Sequence, residues 1–420
     1  MCKVLQQQDE LSCDISRVCC QPRVQDSSCS GQHSIVFIGS DRKTPSCIYN
    51  TSLMADLNTE TQNLPEAIDV VKATDADAAG WDSFVESHPE GRYCHLWGYR
   101  RALENACGYR CIYLKILSSG KLVGIFPAIK LRRRGWMISQ PFNEYGGPLT
   151  VKLSPDANNQ LSHHLVETAK QEGCKAIEIR GGIGCEEISD RPEWKRVPLH
   201  SYAILKLGNP EELWKKVITY EARKGVNKAR KSGLVTEIRR GRQAIEGPFY
   251  DLYLVSMKRL GVPPHSLRFF EELAAGIGDR LVASWVMDSG KPAAILLGAV
   301  TGGRVHIFVI ASLPEAWPKR PSDLAHWELI QWACQQDFKV FDFGSARYEG
   351  QIQFKKKWGV EFRDYGFYLV GPQETVSKME VQSVKTSSKS MSLMSDLWRW
   401  GVPIPLTRLL GPPIRRFLTK

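Results

Sequence analysis

From Glu66 onward, apolar positions switch repeatedly between a two-residue period and a three-to-four-residue period. That pattern predicts short strands interleaved with amphipathic helices. Residues 68–72 read as a strand. Asp75 to Glu86 read as a helix with Thr74 as its N-cap and Trp81, Phe84 and Val85 on one face. Asp75 and Asp77 suit the positive end of that helix dipole. A second helix is expected from His95 to Asn105. A hairpin follows, with strands from Cys111 to Leu117 and from Leu122 to Lys130 about the turn Ser118-Ser119-Gly120-Lys121. After the basic loop at 131–137, residues 140–148 form a turn cluster. Its paired glycines, Gly146 and Gly147, permit close backbone approach to a ligand. A helix from Ser154 to Glu172 and a strand from Ala176 to Arg180 close this half.

The second half repeats the order. Tyr202 to Leu207 is a strand and Pro210 to Val217 begins a helix. Tyr220 to Ser232 continues as a basic helix stopped by Gly233. Leu234 to Ile238 is a strand, and Ala244 to Leu260 and Ser266 to Ala275 are helices. Three strands, Leu281 to Met287, Ala293 to Val300 and Arg304 to Ile310, form a meander. A helix from Ser322 to Gln336 and a strand from Phe338 to Phe343 come next, and Tyr365 to Val370 is the last strand. Each half thus gives helices, an antiparallel meander, a helix and a strand. This order predicts an α+β fold with mixed, largely antiparallel sheets flanked by helices, duplicated in architecture.

The stretch 338–359 draws the rest together. Its apolar strand is expected to break at Gly344, with a polar turn from Ser345 to Gly350. A short segment carrying Ile352, Phe354 and Trp358 then ends at Gly359. Lys355, Lys356 and Lys357 sit among these aromatics. A strand end, a glycine break and cations beside an apolar anchor make a ligand site; a core strand with a solvated helix face is the plain alternative.

Size and composition bound the answer. The 420 residues suffice for two ordinary domains, and 43% hydrophobic with 24% charged residues is the balance of a globular protein. A net charge of +11 points to an anionic partner such as nucleic acid, a phosphorylated substrate or an acidic membrane surface. Six of the twelve cysteines fall within the first 47 residues, with no CxxC pair and no secretory h-region before them. A reduced, cytoplasmic chain without a disulfide framework or a metal is therefore expected. No apolar run reaches the ~18 residues of a membrane span. Residues 1–64 lack periodicity and read as a disordered or loosely attached extension; Met54 is an alternative translation start. Residues 372–392 read as a Ser- and Lys-rich linker. Residues 393–420 read as a basic amphipathic tail, in which Trp398, Trp400, Leu409, Leu410 and Phe417 alternate with five cations. Pro412 and Pro413 are expected to interrupt any helix there. Such a tail suits peripheral association with the inner face of the cytoplasmic membrane, or docking on the protein itself.

Two features carry chemistry. In the basic helix, Lys224, Lys228 and Lys231 fall on one face by their spacing, and Arg223 lies beside them. Such a face holds phosphate. No helix-turn-helix, zinc-finger or RNP signature accompanies it, which excludes the common DNA-reading modules. Gly-x-Ser-x-Gly is absent, and His265 and His306 read as ordinary residues. An enzyme that acylates an amine must bind a carrier, stabilise an oxyanion and remove a proton. Lys355 and Lys356 with the basic helix suit the first two tasks. Asp342, Tyr348 and Glu349 at the strand end are candidates for the third, with Asp342 equally suited to holding the turn.

Phe341-Asp342-Phe343-Gly344-Ser345, followed by Tyr348 through Gly359, resembles the closing signature of FemAB-like proteins in the GNAT acyltransferase superfamily. Tyr220 through Leu234 is similar to the family's basic helix. Glu144-Tyr145-Gly146-Gly147-Pro148-Leu149 is similar to the turn that ends its first hairpin, and His95 through Tyr99 to its first helix. The resemblance covers about residues 66–370. It implies two tandem GNAT-like domains, at 65–198 and 199–371, with a cleft between them. It also implies transfer of an acyl or aminoacyl group to an amine or hydroxyl of a cell-envelope, peptidoglycan or exopolysaccharide precursor. Acyl-CoA or aminoacyl-tRNA would serve as co-substrate, and no cofactor would be tightly bound. By the same resemblance Lys355 stabilises developing charge. Arg223, Lys224 and Lys228 grip substrate phosphate, and Tyr145, Phe354 and Lys356 line the substrate site. The R/Q-x-x-G-x-G/A pattern of coenzyme A users is absent from residues 312–322, and so is the coiled-coil arm of some tRNA users. The alternative class is a non-catalytic GNAT-fold protein that binds polysaccharide precursors or partners at the membrane. The transferase reading expects the basic helix and the Phe354–Lys355 corner to face each other across a groove, and it fails if the two lie on opposite sides of the molecule with no shared cavity.

Overall fold

The computed structural model describes residues 67–143, 145–181, 187, 191–384 and 395–419. The cysteine-rich extension and the Met54 start lie outside them. The alternating periods resolve into one mixed sheet of 13 strands. Its strands are β1 Asp69–Lys72, β2 Arg110–Ser118, β3 Lys121–Leu131, β4 Trp136–Ser139, β5 Leu149–Thr150, β6 Ala176–Gly181 and β7 Lys195–Lys206. They continue with β8 Leu234–Arg240, β9 Leu281–Asp288, β10 Lys291–Thr301, β11 Arg304–Ser312, β12 Val340–Ala346 and β13 Glu361–Val370. The order across the sheet is β1-β2-β3-β4-β6-β13-β7-β12-β11-β10-β9-β8, with β5 on β3. The last strand in sequence therefore sits in the middle, pairing with β6 of the first half and β7 of the second. The expected boundary at 198/199 falls inside β7, so the halves share one sheet.

Helices cover both faces. On one face, helices Ala78–Ser87, Phe249–Arg259 and Leu267–Ile277 enclose a core that runs through both halves, from Trp81 and Tyr99 to Phe270 and Trp285. On the other face each half has its own core. One lies under helix Pro155–Gln171; the other lies under the basic helix Tyr220–Lys231 and helix Pro321–Gln335. Local signals set the helix starts: Ser154 Oγ accepts from the Ala157 amide at 3.1 Å, and Thr219 Oγ1 from the Ala222 amide at 3.4 Å.

Four expectations change. The helix expected from His95 begins at Tyr99, after a 3-10 turn at Tyr93–His95. Strand β12 does not stop at Gly344. That residue takes φ +70° inside the strand, the register on β7 shifts between Asp342 and Ser345, and pairing resumes to Ala346. The proposed linker contains a helix, Gln373–Val384, anchored by the buried Val376 and Met379. The tail helix Ile404–Thr419 runs through Pro412 and Pro413 without separating into two. No helix among the described residues is long and apolar enough to cross a membrane.

Candidate functional site

Both halves contain one parallel strand pair, and in both the pair is short. In the first half β4 and β6 pair over three positions, Trp136–Ala176 to Ile138–Glu178. The opening beyond is filled by the chain's own turn at 140–148. The Gly146 amide donates to the Arg180 carbonyl at 3.0 Å, and the Arg180 guanidinium donates to the carbonyls of Pro141 and Asn143. In the second half β11 and β12 pair from Arg304–Val340 to His306–Asp342 and then part, β12 continuing against β7. Beyond the last pair, Phe308 is half-buried and Ile310 is 39% exposed, although β11 is an interior strand. Ser345 is half-buried and Arg347 exposed on the facing strand end. A gap between parting parallel strands, open in this half alone, forms the candidate site.

Its floor is a buried charged lattice from both halves. Asp342 is fully enclosed. Its Oδ1 accepts from the Tyr145 hydroxyl at 2.7 Å and the Gly344 amide at 2.9 Å, and its Oδ2 from Arg304 Nη1 at 3.1 Å. Arg92 Nε lies 3.6 Å from the same oxygen, and the Arg92 guanidinium stacks over the Tyr145 ring at 4.1 Å. Glu90 pairs with Arg92 at 2.9 Å, Arg304 at 3.4 Å and Arg363 at 3.8 Å. His306 Nε2 lies 3.2 Å from the Tyr145 hydroxyl. Burial pushes the Asp342 carboxyl up, but His306, Arg304 and Arg92 with the Tyr145 hydrogen bond hold it well below the usual carboxylate range. Glu90 is likewise lowered: burial opposes ionisation, and Arg92, Arg304 and Arg363 override it.

The proposed site residues divide into two groups. Lys355 is buried, and its Nζ donates to the carbonyls of Phe343 at 2.8 Å, Gly344 at 2.8 Å and Ser345 at 2.5 Å. It therefore gathers the three carbonyls that border the gap, adjacent to Asp342 and, through it, Tyr145. Tyr348, Glu349 and Lys356 are exposed at the two ends of helix Glu349–Lys356, and Glu349 accepts from Gln353. Phe354 is half-buried, with Lys357 Nζ 4.1 Å from its ring centre. Asp342, saturated and held ionised, has the place of an anchor rather than of a proton acceptor.

The basic helix lies elsewhere than expected. It belongs to the same half as the Phe354–Lys355 corner and touches it directly: the Thr219 amide and hydroxyl both donate to the Lys357 carbonyl, at 3.1 and 2.9 Å. The two do not face each other across a groove. Arg223 is turned back onto the carbonyls of Trp214 and Ile218, whereas Lys224 and Lys228 are exposed. The buried ion pair at this seam is Lys357–Asp323, 2.5 Å apart. A Cβ on Gly225 would lie 2.1 Å from Asp323 Oδ2. Gly225→Ala is expected to destabilise by about 1–3 kcal/mol through overpacking against a fixed carboxylate. A urea midpoint that falls with unchanged slope would show it.

Glu90, Arg92, Arg304, His306 and Arg363 are not among the site residues that the sequence suggests. The available signal was Arg304 and His306 within an otherwise apolar strand, two polar side chains on alternate positions. No cluster among the described residues is arranged to hold a metal.

Comparisons with known proteins bear on the fold. Residues 218–356 match the model of the acetyltransferase (GNAT) domain. Among solved structures the chain resembles FemX, with a TM-score of 0.60 at 15% identity, covering 74% of this chain and 99% of that one. It also resembles the C-terminal domain of an Agrobacterium fabrum protein provisionally described as a lysylphosphatidylglycerol synthetase. There the TM-score is 0.51 at 13% identity, covering 73% and 95%. A comparison with the curated proteins gave no match.

Proposed function

Given a GNAT acetyltransferase domain at residues 218–356 in a tandem α+β fold, we propose that the protein transfers an acyl or aminoacyl group from an activated donor. The acceptor is an amine or hydroxyl on a phosphorylated or lipid-linked cell-envelope precursor at the inner membrane surface. The observation that carries this reading is the open gap between β11 and β12, with the Lys355 ammonium under its border. In such a gap the donor carbonyl lies beside strand backbone. The acceptor nitrogen or oxygen attacks the carbonyl carbon, the new bond forms, and the donor's C–S or C–O bond breaks. Glu349, exposed at the mouth, takes the acceptor proton with Tyr348 beside it, and the leaving thiolate or alkoxide takes up a proton. Lys355 has its three N–H groups on the carbonyls of Phe343, Gly344 and Ser345, so it acts on the developing oxyanion through its charge and by holding the border of the gap in place. Lys224, Lys228 and Lys356 attract the precursor's phosphate, while Tyr145 and Phe354 fix the walls.

The donor test follows from residues 312–322. The stretch folds as a 3-10 turn, Pro314–Lys319, leading to Pro321. Pro314, Pro318 and Pro321 have no N–H, so this segment is a poor backbone cradle for a pyrophosphate. Aminoacyl-tRNA is therefore the donor to test first, and acyl-CoA second. A donor that binds the native state raises its stability by about 2.7 kcal/mol at a hundred times its Kd, read as a rise in Tm. A chain whose Tm responds to neither donor is no transferase and falls to the non-catalytic reading.

Lys355→Met frees the carbonyls of Phe343, Gly344 and Ser345 at the border of the gap and is expected to lower kcat by about 10² through the displaced strand end, with a lower urea midpoint and with donor-induced Tm shifts retained. Unchanged turnover in that variant rejects the role.

A further inference from the structure

The C-terminal tail is docked on the body by one face only. Thr407 is fully buried, Arg408 pairs with Asp251, and Arg415 Nη1 donates to the Pro263 carbonyl at 2.9 Å. The opposite face presents Leu406, Leu409 and Leu410 at helical spacing, with Leu409 70% exposed; Phe417, 62% exposed, stands at the end of this ridge, where it also lines the cavity beside it. Trp400, in the turn before the helix, is 80% exposed. A water-facing apolar ridge of this kind marks an interaction surface.

Beside the ridge, between the tail and the body, lies a cavity of about 390 Å³. Phe142, Phe269 and His265 line it, and so do Arg133, Arg415 and Arg416. None of its lining residues is acidic. Arg133 and Arg416 form no ion pair among the described residues, and the Arg133 guanidinium lies 5.4 Å from the Phe417 ring centre. Asp396 is the tail's one carboxylate among the described residues, and Arg399 neutralises it at 3.0 Å. Three cations over an aromatic floor, next to an apolar ridge, match the two parts of an anionic lipid.

We propose that this end of the molecule docks on an anionic bilayer, with a lipid phosphate held between Arg133, Arg415 and Arg416. Leu409, Phe417 and Trp400 lie among the outer acyl segments. Aromatic and aliphatic residues at the headgroup boundary, flanked by arginine, are the side chains such a surface selects. The inference gives the membrane named under the proposed function its contact residues. It is read separately from transfer, since vesicle binding needs no donor.

The test is flotation of the full chain with vesicles of phosphatidylcholine alone and of phosphatidylcholine mixed with phosphatidylglycerol. Binding is expected to the mixed vesicles only. It should weaken about thirtyfold in Arg133→Ala/Arg416→Ala, two surface charges at the usual contribution each. Leu409→Asp should weaken it too, with Tm unchanged. Absence of binding to the mixed vesicles overturns the proposal, and so does equal binding to both kinds or full binding by the double arginine variant. A dimer of the wild-type chain that Leu409→Asp dissociates assigns the ridge to a second copy and also overturns it.

Discussion

Asp342→Ala is expected to destabilise the protein by about 3–5 kcal/mol, the range for breaking a buried charge pair by removing one partner. The carboxylate is fully enclosed and faces Arg304, Arg92 and the Tyr145 hydroxyl together. Its loss leaves two guanidinium groups short of counter-charge in a site closed to water and removes the carboxylate that Tyr145 donates to. The remaining acid, Glu90, already faces three arginines. Asp342→Asn keeps an acceptor for Tyr145 and for the Gly344 amide but sets an Nδ2 donor against Arg304, so it loses the charge and that bond and should still lose less than alanine. Urea unfolding of both variants, with Tyr145→Phe to close a double-mutant cycle, measures the pair directly. An Asp342→Ala midpoint equivalent to within 1 kcal/mol of wild type would show that the lattice relaxes and is not an anchor.

Transfer should fall with stability in these variants for a geometric reason. Asp342 is the last paired position before β11 and β12 part, and its carboxylate also fixes the Gly344 amide two residues on. The width of the gap is therefore set by the same side chain that joins the halves. Tyr145 comes from the turn that plugs the first half's gap, so one turn closes one opening and braces the other.

The elements were legible wherever a local pattern determined them. Ser118-Ser119-Gly120-Lys121 announces a tight turn, and Ser119 and Gly120 indeed take φ of +47° and +77°. Helix Pro321–Gln335 is apolar nearly all round, and its run of aliphatic and aromatic residues was sufficient to place it. The strand through Gly344 was misread because a glycine bulge and a strand end have the same composition; only the partner strand distinguishes them. Helix Gln373–Val384 rests on two apolar anchors, too few for a periodic signal. The site was legible in part for a different reason. Lys355, Phe354 and Asp342 lie within one short stretch. The lattice around Asp342 draws on positions from 90 to 363, and no window of sequence contains it. The error over the basic helix has the same origin: spacing placed Lys224 and Lys228 on one face correctly, but could not reveal that Thr219 binds the helix to the Lys357 carbonyl on the same side.

Acidification from pH 7.5 to pH 5 should remove about 4 kcal/mol of stability through buried histidines. His95 is fully buried; burial, with Arg92 nearby, depresses it to about 3. Its geometry shows why. Its Nδ1 accepts from the Arg92 amide at 3.2 Å, so a second ring proton would confront a donor, while Nε2 sits 3.1 Å from the Gly147 carbonyl. His326 is also lowered to about 3, by burial first, with Lys357 and Lys355 nearby, and its ring stacks between Phe343 and Trp358. Burial sends His265 well below its usual value as well. The sign follows from linkage. The unfolded histidines take up protons near pH 6.5 and the folded ones do not, so stability is complete above that value and declines as pH falls toward 3. At pH 5 each such histidine has lost about 2 kcal/mol, and two give the figure stated. Asp342 and Glu90, with lowered folded values, add their own loss only below about pH 4, as pH falls through the carboxylate range. Urea midpoints measured across this range should give a slope of two to three protons between pH 6 and pH 4.5. His326→Phe should flatten it by about one proton. A midpoint that stays level from pH 7.5 to pH 5 would mean that these rings are protonated in the folded protein, and the enclosed core around Phe343 and Trp358 would have to open to water.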